Sequence, residues 1–248
     1  MNQPESPEQA ARRRTLYGRR KGKKLRPGQE EALARSLRAR AIAAPAEGDR
    51  LDARELFPGK REVWLEVGFG AGEHLLWQAA ENPDVGIVGC EPFVNGLARA
   101  MAGAEQQGLD NIRFLADDAR LLIRALPEAS LGRVFILFPD PWPKLRHHKR
   151  RFVSRATLDL LASAMADGAE LRCATDDPSY QPWMVEHACQ HPEFEWLAER
   201  AADWRQRPAD WPATRYERKA IAAGRRPLFL RLRRRERGAE RPDRTRTD

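Results

Sequence analysis

Cysteine is scarce in this 248-residue chain: Cys90, Cys173 and Cys189 are widely spaced and form no CxxC pair. Neither a disulfide framework nor a cysteine-built zinc site is suggested by that pattern, and a reducing cytoplasm is the expected location. Histidine offers little more. His147 and His148 are adjacent and His187 and His191 stand four apart, but no third ligand has a fitting spacing, so no metal is expected. No apolar run approaches the ~20 residues of a membrane span, and the N-terminus lacks the apolar centre of a signal peptide. No membrane association is expected, and there is no internal repeat.

Charge is abundant but uneven. The formal net charge is +8, yet residues 1–40 hold 12 Lys/Arg against 4 acids and residues 231–248 hold 8 against 4. Subtraction from the totals of 44 and 36 leaves the middle with 24 against 28. The basicity therefore sits at the two ends and in one loop near residues 144–155, a distribution that draws a polyanion toward one region. The expected organisation is a basic flexible arm over residues 1–28, one domain over 29–233 and a basic tail over 234–248.

From residue 61 onward, short runs of Val, Ile, Leu and Phe alternate with helix-length segments. Strands are expected at 62–67, 85–91, 112–116, 133–138 and 169–175, and helices near 73–81, 94–107, 119–125, 154–165 and 178–190. This is the rhythm of βαβ units around a parallel sheet. "FEWLAE" (194–199) and "RPLFLRLR" (226–233) have no convincing helix between them and read as a closing antiparallel edge.

The first turn, "LEVGFGAGEHLL", opens a helix after a strand. Gly68, Gly70 and Gly72 permit a tight turn and close approach of a ligand. Glu91, at the end of the second strand and 19 residues after Gly72, can accept both hydroxyls of a ribose. A dinucleotide site would want glycine three residues after Gly70, where the chain has Glu73, an unfavourable neighbour for a pyrophosphate. S-adenosylmethionine instead brings an ammonium and a sulfonium, so the acid Glu66 suits it, and Asp118 after the third strand can accept from the adenine amino group. Glu66 and Asp118 singly also read as helix caps or surface acids. Together, at successive strand ends, they favour a methyl donor.

The fourth strand runs straight into "FPDPWPKLRHHKRR". Pro139, Pro141 and Pro143 fix the chain around Asp140 and Trp142 at the carboxyl end of the sheet, where ligands bind in open α/β folds. Lys144, Arg146, Lys149, Arg150 and Arg151, with the two histidines, read as a phosphate-binding surface beside the donor.

Together with "ATDDPSY" and "TRYERKAIAAGRRPLFLRL", these motifs make the chain resemble the bacterial tRNA (guanine-N7)-methyltransferase family over about residues 60–233. The resemblance implies a Rossmann-like seven-stranded α/β methyltransferase sheet, mostly parallel with an antiparallel closing strand and helices on both faces. It implies S-adenosylmethionine as donor and guanosine 46 in the variable loop of tRNA as acceptor. By motif match Glu66, Glu91, Asp118 and Asp140 contact the donor region, and Lys144, Asp176, Thr214, Arg215, Tyr216 and Glu217 the substrate. Tyr216 stands where the family more often has Phe. No obligate protein partner is implied, and the protein is expected to be a monomer or homodimer.

Guanine N7 has an in-plane lone pair and no proton to lose, so displacement at the methyl needs alignment and an electrostatic environment rather than a base. Asp140 is the catalytic candidate because it can stabilise the positive charge that grows on the purine. Asp176 and Glu217 suit guanine's N1–H and N2–H₂, their plainer alternatives being a helix cap and a surface ion pair. In "DWRQRPADWPATRYERK" (203–219), Trp204, Trp211 and Tyr216 alternate with arginines and can stack on unpaired bases, unless the tryptophans pack on the core. A nicotinamide dehydrogenase would need glycine at 73, and a simple RNA-binding module leaves the acids at four strand ends unexplained. An adenine-N6 methyltransferase, the alternative on the same fold, would want an aromatic after two prolines.

Overall fold

The computed structural model describes residues 20–22, 30, 37 and 39–238. A single eight-stranded sheet organises them: β1 (Ala41–Ile42), β2 (Glu62–Val67), β3 (Val85–Cys90), β4 (Ile112–Leu115), β5 (Leu131–Leu137), β6 (Met165–Thr175), β7 (Phe194–Trp196) and β8 (Leu228–Arg234). Their order is β1-β4-β3-β2-β5-β6-β8-β7. The first six pair in parallel, and β8 runs antiparallel to both β6 and β7. The expected closing antiparallel edge is present, with one strand more than the expected seven, because Ala41–Ile42 is too short to show any periodicity in sequence.

Helices α1 (Glu73–Glu81), α2 (Val94–Gln106), α3 (Ala119–Ala125) and α4 (Arg155–Ala164) alternate with the parallel strands. A fifth, α5 (Tyr180–Met184), widens into a π-helical turn over Val185–Cys189, where sequence suggests one continuous helix. Then come α6 (Ala202–Arg205) and α7 (Arg215–Ala222). Sequence gave no sign of α7: its buried residues are Glu217 and Ala220, three apart, so no apolar stripe marks it.

Strand β2 shows why the sheet is covered on both faces. Val63, Leu65 and Val67 enter one apolar cluster with Leu122 and Ile123 of α3 and Leu158 and Leu161 of α4. Trp64 enters the other with Leu75 of α1 and Leu97 and Met101 of α2. Glu66, two residues from Trp64, must share its face by the period of two. An acid is thereby directed toward the start of α1.

The chain leaves β2 for β3 and β4 on one side and returns to β5 on the other. The loops after β2 and β5 therefore diverge, and a crevice opens at this topological switch point. Both motif-bearing loops end there. Among the described residues no helix is long and apolar enough to cross a membrane.

Candidate active site

Two adjoining cavities, of about 370 and 280 Å³, fill the crevice. Gly68, Gly70, Phe93, Phe138 and Tyr216 line both. Gly72 caps α1 in a left-handed conformation, φ 85°, and a Cβ there would lie 2.6 Å from that of Ala100 in α2. At Gly96 a Cβ would stand 2.3 Å from the Gly70 carbonyl oxygen. Glycine at both positions lets α2 close against the turn.

Glu91, Asp118 and Asp140 line the larger cavity, Glu66 the smaller. The Glu91 carboxylate is buried and accepts from the Gly70 N–H at 2.7 Å through one oxygen and from the Phe93 N–H at 2.9 Å through the other. Each oxygen keeps a further lone pair for a ligand hydroxyl. Burial raises the Glu91 pKa, with the two backbone donors opposing the shift. Asp118 is the N-cap of α3, accepting from the Arg120 N–H and pairing with its guanidinium at 3.0 Å. The capping alternative is realised, and the same carboxylate lines the cavity.

The Asp140 loop is strained on both flanks. Phe138 at φ 51° and Trp142 at φ 46° occupy the left-handed region, costly for residues with a bulky side chain. Arg151 holds the loop in this shape. Its side chain is buried over Tyr180 and Trp183, and it donates to the Pro141 carbonyl at 2.8 Å and to the Ser179 carbonyl and hydroxyl. The sequence reading of Arg151 as a phosphate ligand is therefore corrected: it is an internal brace. Asp140 sits at the cavity mouth, where desolvation raises its pKa.

A short 3-10 helix, Leu145–Arg150, follows at once. Lys144, Arg146 and Lys149 are exposed, while Arg150 lies 4.9 Å over the Trp142 ring and lines the larger cavity. The expected cationic face is thus carried by fewer residues than the sequence suggests. His187 stacks on Trp183 with ring centroids 4.0 Å apart, and His191 bonds Asp159 at 3.1 Å. Among the described residues no group of three or more His, Cys, Asp or Glu is placed to hold a metal.

On the opposite rim, Thr214 caps α7 by accepting from the Glu217 N–H, and Arg215 and Tyr216 line the smaller cavity. Glu217 is buried and paired with Arg207 at 3.0 Å; Asp176 pairs with Arg225 at 2.6 Å. Of the three aromatic residues expected to meet bases, Trp211 is 2% exposed and packs with Phe229, and Trp204 packs against the other apolar cluster. Packing on the core, the alternative that the sequence left open, holds for both: Trp211 is a core residue and Trp204 a half-buried one. Tyr216, 57% exposed, remains available.

Several participants carry no sequence signal. His74 is buried, bonds Glu66 at 2.7 Å and is backed by Gln78. Arg207 and Arg225 lie within the quoted stretches, but nothing in the sequence marks them as the partners of Glu217 and Asp176. Of the expected N-terminal arm, Arg20–Gly22 are described: the Arg20 carbonyl accepts from Val94 N–H, Gly22 N–H donates to Asn95, and Arg20 pairs with Asp117 of the larger cavity. The rest of that arm, and the expected tail beyond residue 238, lie outside the described residues.

Comparison with known proteins agrees with this geometry. Residues 60–230 match the family described as "Putative methyltransferase". A tRNA (guanine-N(7)-)-methyltransferase of Rhodospirillum rubrum is 49% identical over 240 residues, covering 96% of this chain and 93% of the relative. One from Paramagnetospirillum magneticum is 50% identical, covering 92% and 96%. A crystal structure of the 16S rRNA methyltransferase KamB superposes with a TM-score of 0.54 at 19% identity, over 79% of this chain and 100% of that one, which shows the fold. With motifs, cavity and relatives in agreement over the same residues, this chain belongs to the tRNA (guanine-N7)-methyltransferase family.

Proposed function

We propose that the protein transfers a methyl group from S-adenosylmethionine to N7 of guanine in tRNA, at guanosine 46. One observation carries the reading: Asp140, held in a strained loop, stands between an acid-lined cavity and an exposed cationic helix. The larger cavity falls within the ~300–1,000 Å³ range of small-molecule sites and its donor set fits the methyl donor. Glu91 offers lone pairs to a ribose, Asp118 an acceptor for the adenine amino group, and Glu66 a buried carboxylate for an ammonium. Glu66 and Glu73, both lining the smaller cavity beside the turn, disfavour a pyrophosphate.

S-adenosylmethionine supplies a methyl activated by a sulfonium. The chain's residues do the remainder. Lys144, Arg146 and Lys149 hold backbone phosphates; Tyr216 offers a ring face to an unpaired base, Asp176 accepts from its N–H edge, and Glu217, buried against Arg207, anchors the turn of α7 that carries Tyr216. Arg225 and Arg207 hold these two carboxylates in place. Asp140 stabilises the positive charge that develops on the purine, and no proton has to move. That all four carried-over donor residues line the two cavities supports this assignment.

The test is methylation of a tRNA transcript with labelled donor, followed by borohydride reduction and aniline scission, which cuts at N7-methylguanosine. Cleavage at position 46, lost when that guanosine is replaced by adenosine, is expected. Label at another guanine N7 would move the acceptor position, and label at an adenine would overturn the reading.

A further inference from the structure

Glu73 occupies the position that a dinucleotide site would reserve for glycine, and its carboxylate reaches away from its own helix. Its Oε2 accepts the backbone N–H of Arg215 at 2.5 Å and lies 3.7 Å from the Arg218 guanidinium. Arg215 is the first residue of α7, so its N–H has no acceptor within that helix. Glu73 supplies one, and places negative charge at the positive end of the α7 dipole. One residue along, Tyr216 lies over the glycine turn: a Cβ on Gly70 would stand 3.2 Å from its ring. Thr214 and Glu217 belong to the same helical turn. The first turn of α7, which carries the acceptor-side residues, is therefore pinned to the donor turn, 142 residues earlier in the chain.

We propose that Glu73 is a positioning residue that couples the two sites. It seats α7 on the donor turn, so that a filled donor site and a correctly placed acceptor helix favour each other and the donor-loaded protein binds the guanine base of tRNA more tightly. The inference rests on the assignment of the two sites given above. Its physical basis is simple. The Gly68–Gly72 turn is a wall of the donor cavity, held by Glu91 through the Gly70 N–H, and a carboxylate at the end of that turn passes any shift of the wall on donor binding to the helix that it holds. Linkage makes the effect reciprocal. The Glu73 side chain is 39% exposed, so its replacement leaves the core intact.

The experiment uses the full chain, a tRNA transcript and S-adenosylhomocysteine as the donor-site probe. Wild-type protein is expected to bind tRNA about five-fold or more tightly when the probe is saturating. In Glu73→Gln and Glu73→Ala that ratio is expected to fall to near one, with KM for tRNA up about ten-fold, as loss of a charge-assisted hydrogen bond implies. The kcat, the probe Kd and the melting temperature stay close to wild type, and Glu73→Asp restores part of the ratio. The proposal is overturned by a wild-type ratio of one, by variants that keep the ratio, or by a probe Kd that worsens as much as the tRNA KM. Failure of wild-type protein to bind the probe or methylate tRNA is a different result, and overturns the site assignment itself.

Discussion

Asp140 and Glu91 have raised pKa values for the same first reason, desolvation of a carboxylate by surrounding protein, partial at the cavity mouth for Asp140 and near complete for the buried Glu91. Both take up protons at higher pH than ordinary carboxylates, so donor affinity should fall in acid through a limb lying above the usual 3.8 and 4.5. Glu91→Gln should flatten that limb, read by calorimetric titration with S-adenosylhomocysteine from about pH 4 to 7. The stability effect has the opposite sign. A folded-state pKa above the unfolded value means that the folded protein holds the extra proton, so these two groups lose stability for it as pH rises through the window. Affinity and stability should therefore respond to acid in opposite directions, and a pH-independent affinity would remove both carboxylates from the donor site. Asp140→Asn should also lower turnover about 10² to 10³-fold, the usual loss for one preorganised electrostatic partner, without revealing an essential base in the pH profile.

The loop from Phe138 and the 3-10 helix Leu145–Arg150 act as one element with two sets of cations. Arg151 faces inward and fixes the strained backbone; Lys144, Arg146 and Lys149 face solvent. Arg151→Met would remove the charged donor from the half-buried Pro141 carbonyl and from the Ser179 acceptors, a hydrogen bond to a charged group contributing about 1.5–3 kcal/mol. Urea denaturation should show that loss, whereas Arg146→Met and Lys149→Met should leave the midpoint unchanged and weaken tRNA binding alone. Equal stability losses in all three variants would mean that the outer cations also brace the fold. Sequence shows five cations in one short run and cannot sort them, because what separates Arg151 from Arg150 is the arrival of Ser179 and Tyr180 from another element.

Across the whole molecule, binding of a polyanion to one face should follow counterion release. The logarithm of tRNA affinity should fall linearly with the logarithm of salt concentration, with a slope of about 0.7–0.9 per phosphate neutralised. Replacing Lys144, Arg146 and Lys149 together should reduce the slope by about 2 to 3, on the same scale. An unchanged slope would place the phosphate contacts elsewhere, on the arginine-rich surface of α7 for instance.

The sequence by itself determined the alternation of parallel strands and helices, because buried parallel strands are continuous apolar runs and their helices have their own period. It also marked the loops that line the crevice: glycines at 68, 70 and 72 and prolines around Asp140 are local backbone devices, readable without neighbours. It did not show β1, whose two residues are too few for a pattern, or α7, whose buried face is a glutamate and an alanine. Tertiary structure decided the fate of the tryptophans and of Arg151, since burial is a property of what packs on a residue and not of the residue. It alone joined Glu73 to Arg215 and His74 to Glu66. The first pairing depends on how closely α7 approaches the donor turn, where Tyr216 packs against Gly70, and the second on how α1 sits against β2, distances that no single stretch of chain specifies.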